Sequence, residues 1–200
     1  MEKLRRPSGW LILISMLEHI AWGELFLCWI VWPLAFIQPS RQAAGQKETV
    51  RAPASRWGIG LVFVAFALVW IRVTPVGYHQ PAAESIPSMI LAPLSVVLVW
   101  AAAHRLGRQW RYQAALRENH ELIQSGVYRR LRHPIYASML GMLLATGLAW
   151  SWWPMFLGGL ALFIAGTEIR IAAEERLLTQ NFPTYAEYRA RTRGYIPFIR

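Results

Sequence analysis

The residues whose types could do chemistry gather in three clusters, all in the second half of the chain. The first runs from Gln113 through His120, Glu121, Leu122 and Ile123, then Gly126 and Tyr128, and closes on Arg132-His133-Pro134-Ile135-Tyr136. Gly126 permits a tight turn or a close backbone approach to a ligand. Pro134 suits the first turn of a helix and keeps His133 extended just before it. Backbone N–H groups and the positive end of that helix then lie near His133 and Tyr136, a setting for an anionic group such as a carboxylate. A basic interfacial loop with aromatic anchors fits the same residues equally well. The second cluster is Arg170, Glu174 and Glu175. Arg170 and Glu174 stand four apart and share a helix face, either as a solvated pair worth a few tenths of a kcal/mol or as part of a site. The third is the tail, with Phe182, Tyr185, Tyr188, Arg191 and the apolar end Ile196-Pro197-Phe198. It reads as a short helix carrying two tyrosines on one side, which either lies at an interface or caps a pocket.

What positions these clusters is set by composition. Of 200 residues, 55% are hydrophobic and 16% charged, with eleven Trp. The apolar residues come in blocks, the pattern of membrane spans rather than of amphipathic surface helices. The net charge of +10 sits beside those blocks, where Lys and Arg face lipid headgroups. No basic helix or recognisable module points to nucleic acid. The single cysteine, Cys28, excludes a disulfide framework and a cysteine-built metal site, and no metal is expected.

Five apolar runs follow: Trp10–Ile37, Trp57 to about Val73, about Ile86 to His104, Tyr136 to about Trp150, and Met155 to about Glu168. The first follows Lys3, Arg5 and Arg6 but is too long for a signal-peptide core, and it reads as a retained span. It holds Glu18, His19 and Glu24, so its Glu18 face should turn toward the bundle. The fourth and fifth runs should form a helical hairpin around Ser151–Pro154, and the fifth helix should continue past the bilayer to Phe182. That hairpin would bring Tyr136 beside Arg170. The basic segments 41–56 and 105–132 and the tail should share the cytoplasmic face. Five crossings then put the N-terminus outside, while its basic residues favour the inside; a bent or re-entrant first run would satisfy both. The expected architecture is an all-α, polytopic transmembrane bundle, with N-terminal spans over 1–105 and a C-terminal core over 106–200.

Taken together, Gln113, His120-x-Leu122-Ile123, Gly126-x-Tyr128, Arg132-His133-Pro134-x-Tyr136, Arg170-x-x-x-Glu174-Glu175, Phe182, Tyr185, Tyr188, Arg191 and Ile196-Pro197-Phe198 resemble the isoprenylcysteine carboxyl methyltransferase family and its bacterial and archaeal relatives. The resemblance covers Leu106 to Ile199. It implies S-adenosylmethionine as cofactor in a cytosol-facing pocket lined by Gln113, His120, Glu121, Leu122, Ile123, Tyr128, His133, Pro134, Ile135, Tyr136 and Glu174. It implies that Arg170 holds the acceptor carboxylate, and that Arg132 and Arg191 support the site, Arg191 on the substrate side. The implied setting is a prokaryotic inner membrane, with a lipid-like or prenylated acceptor. The sequence departs from the eukaryotic enzymes in having fewer N-terminal spans, Glu121 inside the His120 element, and Asn181-Phe182-Pro183 where Phe-Gly is usual.

Methyl transfer to a carboxylate needs positioning and exclusion of water rather than a strong base. Three other readings compete. An amine or thiol acceptor, as in related phospholipid and small-thiol methyltransferases, would need a base such as His133 or Glu175. A membrane sterol-type reductase would need a basic clamp for the 2′-phosphate of NADPH. A non-catalytic scaffold would have no reason to keep the Arg132-His133-Pro134 and Arg170/Glu174 sets.

Overall fold

The computed structural model describes residues 9–44, 48–51, 55–71, 82–110, 115–117 and 121–196. The apolar runs form helices: α1 (Gly9–Leu34), α3 (Ser55–Trp70), α4 (Ala82–Leu106), α5 (Pro134–Trp150) and α6 (Trp153–Asn181), with the short α2 (Ile37–Ala43) after α1 and α7 (Tyr185–Arg191) in the tail. Among the described residues the exception to helix is an antiparallel ribbon of two strands, β1 (Glu48–Arg51) and β2 (Ala115–Arg117), which ties the two basic segments together. The segments Ser15–Ala43, Glu84–Gln109 and Trp153–Asn181 are long and apolar enough to cross a membrane. The other two apolar helices, α3 and α5, have 16 and 17 residues.

The first apolar run is not one helix. Pro33 has no N–H to give to the carbonyl four residues back. The chain closes instead with tighter bonds, Ala35 N–H to Trp32 O at 3.3 Å and Phe36 N–H to Pro33 O at 3.1 Å, and turns into α2. In α1 the buried residues Ala21, Leu25 and Cys28 form one stripe. Glu18 stands at the start of that stripe and is half-buried, so its face does turn inward. Along α4, Ser88, Ala92, Ser95 and Val99 are buried while Ile86, Ile90, Leu94 and Val97 are exposed, an apolar outer surface suited to lipid.

Helix directions follow from contacts across the bundle. Trp22, Trp29 and Trp32 of α1 donate their indole N–H groups to Ala149 O, Thr146 Oγ1 and Ser138 Oγ at 2.8, 3.0 and 2.7 Å, so α1 runs antiparallel to α5. Ser88 Oγ donates to Ala145 O and Ser138 Oγ to Ser95 O, each at 2.8 Å, so α4 is antiparallel to α5 as well. α3 crosses α6 through small residues. A Cβ built on Gly58 would stand 2.5 Å from Gly166 O, and one on Gly159 would stand 2.9 Å from Ala65 O. Only hydrogen fits there, and the two backbones touch. The α1–α3 and α4–α5 connections and the end of α6 therefore share one end of the bundle.

The fourth and fifth runs do reverse at Ser151 and Trp152, where Pro154 opens α6 rather than extending the turn. They are not a closely packed pair, however. α5 packs mainly on α4, and α6 mainly on α3. Near the turn Gly147 makes room for the Phe156 ring, and at the far ends Tyr136, Met139 and Leu140 of α5 pack with Ile171 of α6.

Candidate active site

The loop ahead of α5 is fixed by backbone chemistry. Gly126 adopts φ +63°, a left-handed conformation that glycine takes without steric cost. Arg105 Nε donates to Ser125 Oγ at 2.8 Å, joining the loop to the end of α4. The buried Tyr128 carbonyl accepts the Tyr188 hydroxyl at 2.7 Å; burial pushes the Tyr188 pKa up to about 12, so the hydroxyl stays a donor. The tail then clamps the next residues. Leu131 pairs with Arg193 in a parallel bridge, and Arg132 N–H and His133 N–H donate to Arg193 O and Gly194 O at 2.7 and 3.3 Å. Pro134 follows as the first residue of α5.

This clamp brings the first and second clusters into one polar network. Arg170 Nε donates to the Tyr136 hydroxyl at 2.8 Å, and its guanidinium carbon lies 5.4 Å from the Tyr136 ring centroid. The Tyr136 hydroxyl passes its own proton to a hydrogen bond with Glu174 Oε1. His133 faces both acids, with Nε2 3.2 Å from Glu175 Oε1 and Nδ1 3.6 Å from Glu174 Oε2. Burial disfavours the imidazolium, but the two carboxylates outweigh it and hold the His133 pKa above its ordinary value. Arg132 Nε donates to Glu175 Oε1 at 2.9 Å, and its Nη1 donates to Arg189 O at 3.2 Å and to Thr192 O. Arg189 Nε reaches Glu175 Oε2 at 3.4 Å. Glu175 is thus the structural acid, caged by cations, and Glu174 is the acid that faces the interior.

The network closes one end of a cavity of about 790 Å³ that is otherwise apolar. Glu121, Leu122, Ile123, Tyr128, Arg132, His133, Pro134, Ile135, Tyr136, Arg170 and Glu174 all line it. Gln113 and His120 lie outside the described residues, as do Pro197 and Phe198. Arg191 does not reach the cavity; it is exposed and donates to Gln124 Oε1. Arg132 lines the wall, but its guanidinium is engaged by Glu175 and the tail, which makes it a brace for the acids. Tyr185 and Tyr188 also line the cavity. The Tyr185 hydroxyl is buried with no hydrogen-bond partner among the described residues. Burial first, and the nearby Glu175 second, push its titration up, though Glu175 accepts no well-formed bond from it.

Sequence reasoning missed the far wall, which comes from the N-terminal half. Trp29, Trp32 and Phe36 face Ile59, Phe63, Phe66 and Trp70 across the space. The signal was present as Phe63, Phe66 and Trp70 on one helical face. It was hidden because such a stripe in an apolar helix reads equally as lipid contact. Gly58 was missed too. A Cβ there would lie 2.6 Å from Arg170 Cγ, so this glycine makes room for the stem of Arg170.

The model of the isoprenylcysteine carboxyl methyltransferase (ICMT) family matches residues 88–180. The match takes in α4, the loop, α5 and nearly all of α6, and stops before the tail elements from Phe182 onward. No curated protein matches the chain. The family match supports a membrane carboxyl methyltransferase in general. The stretch that the isoprenylcysteine carboxyl methyltransferase family model matches, residues 88–180, is the stretch that carries the loop, α5, α6 and the Arg170–Tyr136–Glu174 network.

Proposed function

We propose that this protein transfers a methyl group from S-adenosylmethionine to the carboxylate of a lipid-like or isoprenylcysteine-type acceptor, in a prokaryotic cytoplasmic membrane with all five long helices spanning and the polar end of the bundle in the cytosol. The observation that carries the reading is the Arg170–Tyr136–Glu174 network at the end of a deep apolar cavity. Such a site offers a cation and an acid to polar groups and hydrocarbon to the rest of a ligand.

The residues present fit the cofactor. A cavity of about 790 Å³ is of the size that holds a bound small molecule. Glu174 offers an acceptor for a hydroxyl or amino group. The Tyr128, Tyr185 and Tyr188 rings offer faces for a flat or cationic group, and the Tyr185 hydroxyl has a hydrogen bond to give. When bound, the cofactor supplies a methyl already activated on a sulfonium. The chain's part is positioning. Arg170 orients the acceptor carboxylate, and the bond from its Nε to Tyr136 fixes the plane of the guanidinium beforehand. The aromatic walls exclude water. A carboxylate is ionised at neutral pH and needs no base. Of the two bases that an amine or thiol acceptor would call on, His133 has both ring nitrogens turned to carboxylates and Glu175 is paired with Arg132 and Arg189, which favours the carboxylate reading.

The test is S-adenosylmethionine binding to the purified protein in detergent, followed by transfer of a labelled methyl to farnesylcysteine analogues, phospholipids and small thiols. Wild type should bind and label the carboxylates, and Glu174→Ala should lose binding. Failure of the wild type to bind ends the proposal.

A further inference from the structure

The cavity has a floor as well as a polar end. Among its lining residues, Phe66 and Trp70 stand farthest along α3 from the Arg170 end, with Trp29 of α1 beside them. Their rings meet across the space, Trp29 to Phe66 at 5.2 Å and Trp29 to Trp70 at 5.6 Å between centroids. A second layer stands behind them. Phe26 contacts Trp70 at 5.4 Å and Trp150 at 5.6 Å, and Trp22 contacts Trp150 at 5.5 Å. Hydrogen bonds hold the Trp29 ring of the floor and two rings behind it: Trp29 Nε1 to Thr146 Oγ1 at 3.0 Å, Trp150 Nε1 to Trp70 O at 3.1 Å, and Trp22 Nε1 to Ala149 O at 2.8 Å. To move aside, Trp29 would have to break its bond, and Phe66 and Trp70 would have to displace the rings they touch, so the floor is a stop rather than a soft plug.

The distance from the polar end to this stop can be read along α3. Gly58 sits at the level of Gly166 and Arg170. From Ile59 to Trp70 the helix advances about 16 Å, at about 1.5 Å per residue. An extended apolar chain covers that distance with about a dozen carbons, given bonds of about 1.5 Å in zigzag.

We propose that the packed aromatic floor of Trp29, Phe66 and Trp70 sets an upper limit on the length of the acceptor's apolar chain, at about a dozen carbons between the Arg170 end and the floor. The inference rests on the reading that the cavity holds a lipid-like acceptor. Its physics differs from that of a pocket in water. A chain arriving from the bilayer leaves one hydrocarbon setting for another, so each added methylene contributes little to affinity. Discrimination comes from overpacking once the chain end meets rings that cannot shift. Binding should therefore be nearly flat with length up to the limit and fall beyond it.

The experiment uses the full-length protein in nanodiscs and a series of straight-chain carboxylates, each carrying a photoreactive diazirine at its far end, with labelled residues mapped by mass spectrometry. In wild type, the probe of about a dozen carbons should label the Trp29–Phe66–Trp70 layer, shorter probes should label nearer Val62 or Met139, and probes about four carbons longer should leave the cavity unlabelled. Trp70→Ala removes a ring layer about 5 Å deep and should admit those longer probes. Ala67→Phe, at an exposed position that also lines the cavity, should shorten the limit by a similar amount and guards against misfolding of the first variant. Labelling confined to outward residues such as Leu94 and Val97, or a length limit that moves with neither variant, would overturn the inference. Methyl transfer is scored separately on the unmodified acids. A chain that labels the floor but is never methylated refutes the proposed reaction and leaves the length limit standing.

Discussion

Gly58→Ala is the sharpest perturbation available, because one methyl group tests both the helix crossing and the site. A Cβ at Gly58 would lie 2.5 Å from Gly166 O and 2.6 Å from Arg170 Cγ, whereas ordinary contact begins at 3.4 Å. The Arg170 stem can swing, but the carbonyl is backbone. To restore contact, α3 and α6 must separate by 3.4 − 2.5, or about 0.9 Å, along a crossing whose stability rests on close approach. Overpacking of this kind costs about 1–3 kcal/mol, which at about 2–4 °C per kcal/mol for a chain this size lowers the melting temperature by about 2–12 °C. Displacing Arg170 from Tyr136 should also lower turnover, since a misplacement of about 1 Å can cost about 100-fold. The control is two residues away. A Cβ at Gly60 would meet nothing within 4 Å, so Gly60→Ala should leave activity unchanged and stability equal or higher by up to about 1 kcal/mol. The measurement is thermal unfolding in detergent with a parallel methyl-transfer assay. Equal melting temperatures and equal rates for the two variants would refute the crossing geometry and its link to Arg170.

Three further outcomes follow from the polar network. Arg132→Gln leaves the largely buried Glu175 without its main partner and should cost about 3 kcal/mol or more; Arg189→Gln, at a side chain 55% exposed, should cost less than about 1 kcal/mol, and denaturant titration of both variants ranks them. His133 has a raised pKa when folded, so its charged form stabilises the fold fully below about pH 6.5 and that contribution is lost as pH rises through the folded value. Melting temperature should fall along that upward sweep in wild type and less so in His133→Asn, and parallel curves would refute the assignment. Tyr136→Phe removes the hydroxyl that joins Arg170 to Glu174; it should reduce kcat about 100-fold with the fold intact, and a wild-type rate would show that the hydroxyl does not position the arginine.

The sequence by itself determined which residues could do chemistry and which runs are helices. Pro134, the blocks of apolar residues and the four-residue step from Arg170 to Glu174 are local signals, and local signals survive the absence of coordinates. The family pattern named most of the polar wall for the same reason, since its elements are contiguous stretches of chain. Only the tertiary structure decided that Glu174 faces the cavity while its neighbour Glu175 faces Arg132 and Arg189. Adjacent helical residues point about 100° apart, and which direction is inward depends on the partner helices. Only the tertiary structure showed that α5 packs mainly on α4 and α6 mainly on α3, and that α1 and α3 supply the far wall of the cavity and its floor. Those contacts join residues such as Trp29 and Thr146 across more than half the chain. Apolar helices carry no periodic mark to distinguish a face turned to lipid from a face turned to a cavity, because both are hydrocarbon surroundings.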